Sequence, residues 1–159
     1  MRLLAVALLA GSVLAPVRFA ARPGWLVGAG KVHACPGVSP ARCRDVWSWA
    51  SSVPWRDCAG CLPHRTVARL PADGVAIQIS LAIEHPIVAR RRLTWPATVR
   101  ASDVVAPFEG LPSRIGVYQR FARLGRYEVY LWVFFGRSRP RARQLAAAIA
   151  ELRTARLPR

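Results

Sequence analysis

The stretch RYEVYLWVFF, residues 126–135, decides the fold of this chain. Successive side chains of a strand point to opposite sides of a sheet, and here both sets are largely apolar. A strand that is apolar on both sides is typical of the centre of a sheet. Residues 115–122 predict a second strand, and Gly125 lies between the two. We therefore expect a β-hairpin whose second strand is central.

The period of the apolar residues changes after the hairpin. Spacing of i, i+3, i+4 and i+7 predicts a helix with one apolar stripe, formed by Leu145, Ala148, Ile149 and Leu152. Ser138 is a plausible N-cap, Pro140 fits the first turn, and the helix should end before Pro158. We expect this helix to pack on one face of the sheet.

Upstream of the hairpin, residues 75–83 alternate as a half-buried strand does. Residues 66–70 predict a short strand, 71–74 a turn, 93–99 a weaker strand broken at a proline, and 107–112 a loop. The predicted fold class is α+β, with an antiparallel β-sheet of four to five strands and the C-terminal helix packed on one face.

A segment rich in Cys and Trp precedes the sheet and is expected to contain a short helix over about residues 40–50. Its stripe would be Cys43, Val46, Trp47 and Ala50. All four cysteines lie here, and an even number in a loop-rich segment favours two disulfides. We expect Cys35, Cys43, Cys58 and Cys61 to be disulfide-bonded; sequence leaves the connectivity open, and a nested pairing, 35 with 61 and 43 with 58, is favoured.

Cys58 and Cys61 could have two other roles, in redox catalysis or in zinc binding. Their spacing is that of a redox CxxC, but Asp57 adds a negative charge beside the first thiol and Pro63 stops a helix that would lower its pKa. Zinc is the second alternative, since His64 follows at ligand-like spacing, yet structural sites normally need a second close pair. No metal or other cofactor is therefore predicted.

Trp47, Trp49 and Trp55 crowd the same segment. Exposed indole rings stack on sugar rings or on a partner's surface, whereas buried ones fill a core. Burial against the disulfides is the favoured interpretation. Trp49 lies off the predicted helix stripe and is the ring to examine for exposure.

The N-terminus predicts location. Residues 3–15 form an uncharged apolar run after Arg2, which is typical of a signal peptide and shorter than a membrane span. Candidate cleavage sites after Ala15 and Ala21 are both poor, because Pro16 follows one and Phe19 occupies a small-residue position in the other.

We therefore divide the chain into a signal peptide or N-terminal membrane anchor, residues 1–30, and a single α+β domain, residues 31–159. Within the domain, residues 31–64 are the Cys/Trp-rich segment and 65–159 the sheet with its helix. The expected location is extracytoplasmic, either secreted or membrane-anchored.

The charge is the most conspicuous feature of the composition. The chain of 159 residues has 24 Lys and Arg against 8 Asp and Glu, a formal charge of +16, and Lys31 is its only lysine. The arginines are spread along the chain without a nucleic-acid-binding motif, so no specific nucleic acid is expected. Two local concentrations are candidate anion-binding residues: Arg90, Arg91 and Arg92, and Arg137, Arg139, Arg141 and Arg143.

No catalytic pattern accompanies these residues. A nucleophile elbow and a zincin motif are absent from the sequence, and eight carboxylates leave few candidates for acid–base work. Glu84 and His85 are adjacent, so in a strand they would point to opposite faces. An enzyme is not expected.

Several stretches resemble small exported actinobacterial domains of unknown function. They are LPADG with the strand after it, LTWP, GRYEV, and the closing helix, within about residues 60–158. The resemblance implies an extracytoplasmic domain and no catalytic residues.

The favoured hypothesis is a non-catalytic exported or membrane-anchored binding module. Its partner would be an anionic cell-envelope component or another protein, with the membrane close by through the N-terminus. The alternative is a thiol-disulfide oxidoreductase that uses Cys58 and Cys61.

Overall fold

The computed structural model describes residues 16–32, 45–59, 61–82, 92–108, 110–125 and 127–158. Within these ranges six strands form one antiparallel sheet: β1 (Leu26–Lys31), β2 (Val46–Ser51), β3 (Val75–Ala82), β4 (Val104–Val105), β5 (Gly116–Leu124) and β6 (Tyr127–Phe135). Two α-helices accompany them, α1 (His64–Ala68) and α2 (Ala142–Leu152). The α+β class is confirmed, whereas the number of strands is six rather than four to five.

The strands lie in the order β1-β2-β3-β6-β5-β4. The β5–β6 hairpin is confirmed, with Gly125 at a φ of 58° in the two-residue connection. β6 pairs with β3 along one edge and with β5 along the other, so it is central, as its two apolar faces predict. β3 is buried on both faces as well, although the sequence predicts a half-buried strand.

One side of the sheet, here called the helix face, is covered by α2. Its core includes Ile77 and Ile79 of β3 and Leu131 of β6, against which Ala148 and Leu152 of the helix pack. The predicted apolar stripe of α2 is confirmed, since Leu145 and Ile149 pack against the same cluster. The helix begins later than expected, however: its N-cap is Arg141 rather than Ser138.

The N-terminal part of the described chain also belongs to the helix face. Val17 and Phe19 are buried in the core there. Arg18 and Arg156 exchange two backbone hydrogen bonds of 3.0 and 2.8 Å, and the hydroxyl of Ser48 donates to the carbonyl of Val17. The apolar run 3–15 lies outside the described residues, so the leader or anchor stays a prediction.

The opposite side, here called the tryptophan face, carries Trp47 and Trp49 of β2 and Trp132 of β6. The described part of the expected helix is residues 45–50, and residues 46–50 form strand β2 instead. The spacing of Val46, Trp47 and Ala50 fits a helix and a strand equally well. β2 pairs with β1 and β3 along its whole length, and this long-range pairing favours a strand over a helix.

Two glycines of β1 explain why these tryptophans fit. A Cβ at Gly28 would lie 2.6 Å from the indole ring of Trp49, and one at Gly30 would lie 3.0 Å from Nε1 of Trp47. The rings therefore cover the bare backbone of an edge strand, as aromatic side chains do when they compensate a strand glycine. Trp47 is buried with its ring against Gly30 of β1, and Trp49 is half-buried.

Trp55 adds a second layer to the tryptophan face. Its ring stacks on Trp49 at 5.2 Å between centroids and is tilted against Trp47 at 5.6 Å. Other apolar residues also pack on this face. They are Val67 of α1, Leu70 just after α1, Leu111 and Ile115.

Helix α1 replaces the strand expected over residues 66–70. The carboxylate of Asp57 accepts hydrogen bonds from the backbone N–H groups of Arg65 (3.0 Å) and Thr66 (2.8 Å) and from the Thr66 hydroxyl. These bonds satisfy donors that the first turn of a helix leaves unpaired. The guanidinium of Arg114 donates to the carbonyls of Ala68 and Leu70 beyond the other end.

Residues 93–99 contain no strand, contrary to expectation. Pro96, which follows a cis peptide bond, has no N–H for a ladder. The segment is attached instead by Ala97 and Val99, which are buried in the core, and by the indole of Trp95, which donates to the carbonyl of Ala155 at 3.1 Å. The loop expected over 107–112 is confirmed by its described residues.

Candidate anion-binding cleft

Arg92, the described member of one predicted arginine cluster, lies at the opposite end of the sheet from the other cluster, residues 137–143. Arg92 bridges to Arg123, which pairs with Glu128 near the start of β6. Arg137 follows the other end of the same nine-residue strand, about 27 Å away at the usual rise per residue. Arg90 and Arg91 lie outside the described residues. The fold therefore keeps Arg92 apart from the cluster at residues 137–143.

The C-terminal cluster is engaged mainly in attaching α2 to the turn before β3. Arg143 forms a close ion pair with Asp73, and Arg141 lies 3.9 Å from the same carboxylate. The hydrogen bond from Arg143 lowers the pKa of Asp73, assisted by the nearby charges of Arg141 and Arg137. Arg137 also donates to the carbonyl of Ala72, while Arg139 is exposed. Much of this charge already has a structural partner.

A different set of arginines surrounds a cleft of about 360 Å³ on the helix face, between β5 and residues 92–103. Its lining combines cationic groups, hydroxyls and one carboxylate: Arg92, Leu93, Thr94, Ala97, Thr98, Arg100, Asp103, Tyr118 and Arg120. The volume is within the range of small-ligand sites.

Alternating burial positions the outer wall of this cleft. Ala97 and Val99 point into the core, so Thr98 and Arg100 between and after them are exposed. The hydroxyl of Tyr118 donates to the carbonyl of Thr98 at 3.3 Å, which joins this wall to β5. A 3-10 turn over Ala101–Asp103 then leads into β4.

The inner wall is β5 itself. Arg120 lies on the same face of the strand as Tyr118 and Ala122, both of which are buried. Its guanidinium carbon is 6.0 Å from the centroid of the Tyr118 ring, within the range of a cation–π contact.

No ion pair with a described carboxylate neutralises the cationic groups of the cleft. Among the described residues, no carboxylate lies within salt-bridge distance of Arg92, Arg100 or Arg120, Asp103 included. Three guanidinium groups and one carboxylate thus give the lining a formal charge of +2. Hydroxyls and unpaired guanidinium groups together match the oxygens of a phosphate or a carboxylate.

Sequence reasoning found Arg92 but missed Arg100 and Arg120. Two signals could have found them. Arg120 interrupts an otherwise apolar face of a predicted strand, and Arg100 continues the alternation of residues 97–99. Neither signal shows that the two residues, twenty positions apart, share one cleft.

The cysteines show one bond that differs from the favoured nested pairing. Cys58 and Cys61 are disulfide-bonded to each other, with their Cα atoms 5.3 Å apart. Both residues are exposed, and Asp57 beside them is held by the start of α1. Cys35 and Cys43 lie outside the described residues.

The described ranges contain neither a cluster of metal ligands nor a membrane-spanning helix. No group of three or more potential His, Cys, Asp or Glu ligands occurs in them. His64 instead contacts the carbonyl of Gly110 through Nδ1, at 3.3 Å. Over the same ranges, no helix has the length and hydropathy needed to cross a bilayer.

Comparison with protein-family models, curated proteins and solved structures finds no match for this chain. The candidate site therefore stands on its own geometry.

Proposed function

We propose that this chain is a non-catalytic extracytoplasmic binding domain whose cleft holds an anionic group of a cell-envelope partner. One observation carries the proposal: Arg92, Arg100 and Arg120 surround a cleft of ligand size without an ion pair to a described carboxylate. A phosphate or carboxylate would gain charge-assisted hydrogen bonds from these groups.

Location is the second part of the proposal. The apolar run 3–15 after Arg2 is typical of export signals, and disulfides such as Cys58–Cys61 persist in oxidising compartments. If a leader is removed, its end must precede Val17, because Val17 and Phe19 belong to the core. Cleavage after Ala21 would remove both. A membrane anchor that ends before Val17 meets the same requirement.

The experiment is a titration with inorganic phosphate, followed by NMR at constant ionic strength. Each lost guanidinium contact should weaken binding about tenfold, since hydrogen bonds to charged groups contribute about 1.5 kcal/mol or more. We expect Arg120→Gln and Arg100→Gln each to show this loss. Asp103→Asn, which removes the one carboxylate among the described lining residues of the cleft, should strengthen binding.

The matched control is Arg139→Gln. It removes the same formal charge from an exposed residue in the other cluster, and its effect should be less than about twofold if only screened long-range charge is lost. Equal losses for Arg139→Gln and Arg120→Gln would show that net charge alone attracts phosphate, and the proposal would then fail.

A second candidate function rests on the exposure of the Cys58–Cys61 disulfide. In that role the disulfide would accept two electrons and two protons from a substrate dithiol, which would leave as a disulfide. The adjacent Asp57 carboxylate opposes formation of a thiolate at Cys58, because two negative charges would then lie side by side.

Differential alkylation of protein from its native compartment, read by mass spectrometry, separates the two functions. A redox enzyme should expose an alkylatable Cys58 thiol after mild reductant, and Asp57→Asn should increase its reactivity. A bond between Cys58 and Cys61 that resists mild reductant would eliminate the redox function.

A further inference from the structure

Four exposed arginines lie where the two ends of the described chain meet. They are Arg18, Arg22, Arg153 and Arg156. Residues 16–25 and residues 153–158 are joined there, because the N–H of Ala20 donates to the hydroxyl of Thr154 at 3.2 Å, beside the two backbone hydrogen bonds between Arg18 and Arg156. The exposed side of these two segments is here called the terminal patch.

Arg18 and Arg156 form the centre of the terminal patch. Two residues that exchange both backbone hydrogen bonds have their Cα atoms about 5.5 Å apart and their side chains on the same side. Their neighbours Val17, Phe19 and Ala155 are buried, so both guanidinium groups are directed outward. Like charges placed opposite each other are unfavourable. An anion bound between the two groups would remove this repulsion.

The terminal patch has no exposed carboxylate of its own. Its two segments contain four arginines and neither Asp nor Glu. Glu151, at 3.9 Å from Arg22, has a side chain that is 0% exposed. In the part of the chain that the structure describes, no carboxylate lies within salt-bridge distance of Arg18, Arg153 or Arg156. The other exposed residues of the patch are small or apolar: Ala20, Ala21, Pro23 and Gly24.

The terminal patch also adjoins the apolar run 3–15 in the sequence. Pro16 is the residue that follows the run, and two steps of chain place Arg18 at most about 7 Å from it. That distance is shorter than the roughly 10 Å over which exposed charges interact at moderate salt. A membrane anchor formed by the run would therefore bring lipid headgroups within range of Arg18 and of Arg156 beside it.

We propose that the terminal patch binds the phosphate groups of anionic lipids in the membrane that the run 3–15 enters. This inference rests on the membrane-anchored form of the proposed function and adds to it a surface that faces the lipid. The planar guanidinium group donates paired hydrogen bonds to phosphate oxygens. Each arginine close to an anionic membrane surface adds to the attraction.

The first test measures binding of the full chain to vesicles by flotation. The vesicles contain phosphatidylcholine, either alone or mixed with phosphatidylglycerol. We expect the anionic lipid to strengthen binding, and Arg18→Gln and Arg156→Gln each to reduce this gain about fivefold. Arg156→Lys keeps the charge and should keep most of the gain. Thermal melts of each variant check that it is folded.

The matched control is Arg139→Gln. It removes the same charge from an exposed residue beyond the other end of α2, a helix of 11 residues that is about 16 Å long. Its effect on the gain from phosphatidylglycerol should be less than about twofold, because only screened charge is lost.

The second test measures orientation on the membrane. The full chain is placed in lipid nanodiscs that contain phosphatidylglycerol and a lipid with a spin-labelled headgroup. The amide NMR signals of Arg18 and Arg156 should broaden more than those of Arg139 and Arg143, since broadening falls steeply with distance from the label. Equal broadening at the two ends of α2 would contradict a terminal patch that faces the lipid.

Three further outcomes would overturn the inference. Equal losses for Arg139→Gln and Arg156→Gln would show that net charge alone attracts the chain to anionic vesicles. Displacement from the vesicles by soluble glycerol phosphate, at a concentration that leaves the ionic strength unchanged, would show a site for free anions. An intact mass without residues 3–15, measured on protein from its native compartment, would remove the anchor.

Failure here can be distinguished from failure of the proposed function. Binding of inorganic phosphate in the cleft is tested at Arg100 and Arg120, which are not part of the terminal patch. If phosphate binds there while Arg18→Gln and Arg156→Gln leave vesicle binding unchanged, the lipid inference fails and the cleft stands. If phosphate does not bind while both variants weaken vesicle binding, the cleft fails and the terminal patch stands.

Discussion

Two buried glutamines, one on each face of the sheet, differ in their hydrogen bonds. Gln144 of α2, on the helix face, is 1% exposed and uses both ends of its amide: Nε2 donates to the carbonyls of Ala72 (3.2 Å) and Gly74 (3.3 Å), and Oε1 accepts from the N–H of Arg141 (3.0 Å). Gln78 of β3, on the tryptophan face, is 0% exposed, and neither its Nε2 nor its Oε1 has a hydrogen-bond partner among the described residues.

The indole N–H groups repeat this difference. Trp95, against the helix face, donates to the carbonyl of Ala155, whereas the buried Nε1 atoms of Trp47, Trp55 and Trp132 have no hydrogen-bond partner in the part of the chain that the structure describes. Specific polar contacts therefore fix α2 and the N-terminal segment in place. Packing of large rings on glycines and on one another holds the tryptophan face.

The largest expected effect is at Gln144. Gln144→Met keeps the volume but leaves the N–H of Arg141 without its side-chain partner and weakens the attachment of α2 to residues 72–74. We expect a loss of about 2 to 3 kcal/mol in the free energy of unfolding, as for buried groups left unpaired. Urea denaturation measures it. An unchanged midpoint would show that these bonds do not fix the helix.

The next effect is at Gly28. Gly28→Ala places a methyl group against the ring of Trp49, and we expect a loss of about 2 kcal/mol from overpacking. Circular dichroism should show a weaker signal from the stacked Trp49 and Trp55. Ala29→Val, at the exposed neighbouring position, is the control for changed strand propensity. Equal effects of the two changes would contradict a close fit of the ring.

The same substitution should have the opposite sign at Gln78. Gln78→Met removes an amide that has no partner, so we expect a gain of about 1 kcal/mol in the free energy of unfolding. Measured beside Gln144→Met, the pair tests the difference between the faces directly. A loss of stability at both positions would mean that Gln78 has a partner in solution, such as a buried water.

The smallest effect concerns Glu151, the one buried carboxylate that α2 places on the helix face among the described residues. Burial raises its pKa above the usual 4.5, while Arg22, at 3.9 Å, and the hydroxyl of Thr154 oppose the shift. A carboxyl whose pKa is raised by folding stabilises the protein when protonated. Stability should therefore fall as pH rises from about 4.5 through the pKa of the folded state.

Glu151→Gln should remove this fall and unfold at a higher temperature than the parent at neutral pH. Thermal melts across pH measure it. Asp73→Asn is the contrasting control: the pKa of Asp73 is lowered by folding, so its contribution is lost as pH falls below about 3.8. A Glu151→Gln variant with the parent's pH profile would contradict the assignment.

The sequence predicted secondary structure most accurately in segments where the apolar residues keep one period, either that of a strand or that of a helix. The β5–β6 hairpin, the two apolar faces of β6 and the stripe of α2 are each encoded by neighbouring residues. β1 escaped prediction because its sequence, LVGAGK, lacks bulky alternation, and the rings that complete it come from β2. Helix α1 escaped because Asp57, which satisfies its first turn, lies outside it.

The candidate site shows the same limit. The excess of arginine is plain from the sequence, but the dense arginine clusters did not identify the residues that line the cleft. The arginines of residues 137–143 largely attach α2 to the turn before β3, and Arg90 and Arg91 lie outside the described residues. The cleft depends on Arg100 and Arg120, which stand alone in sequence and meet because β4 pairs with β5.

The sequence by itself determined the α+β class, the central hairpin, the terminal helix and the strongly basic character, because each depends on local periodicity or composition. Only the tertiary structure decided that residues 46–51 are a strand, that Cys58 pairs with Cys61, and which of the described arginines line the cleft. Those outcomes depend on contacts between residues far apart in the chain, where burial and strand register outweigh local preference.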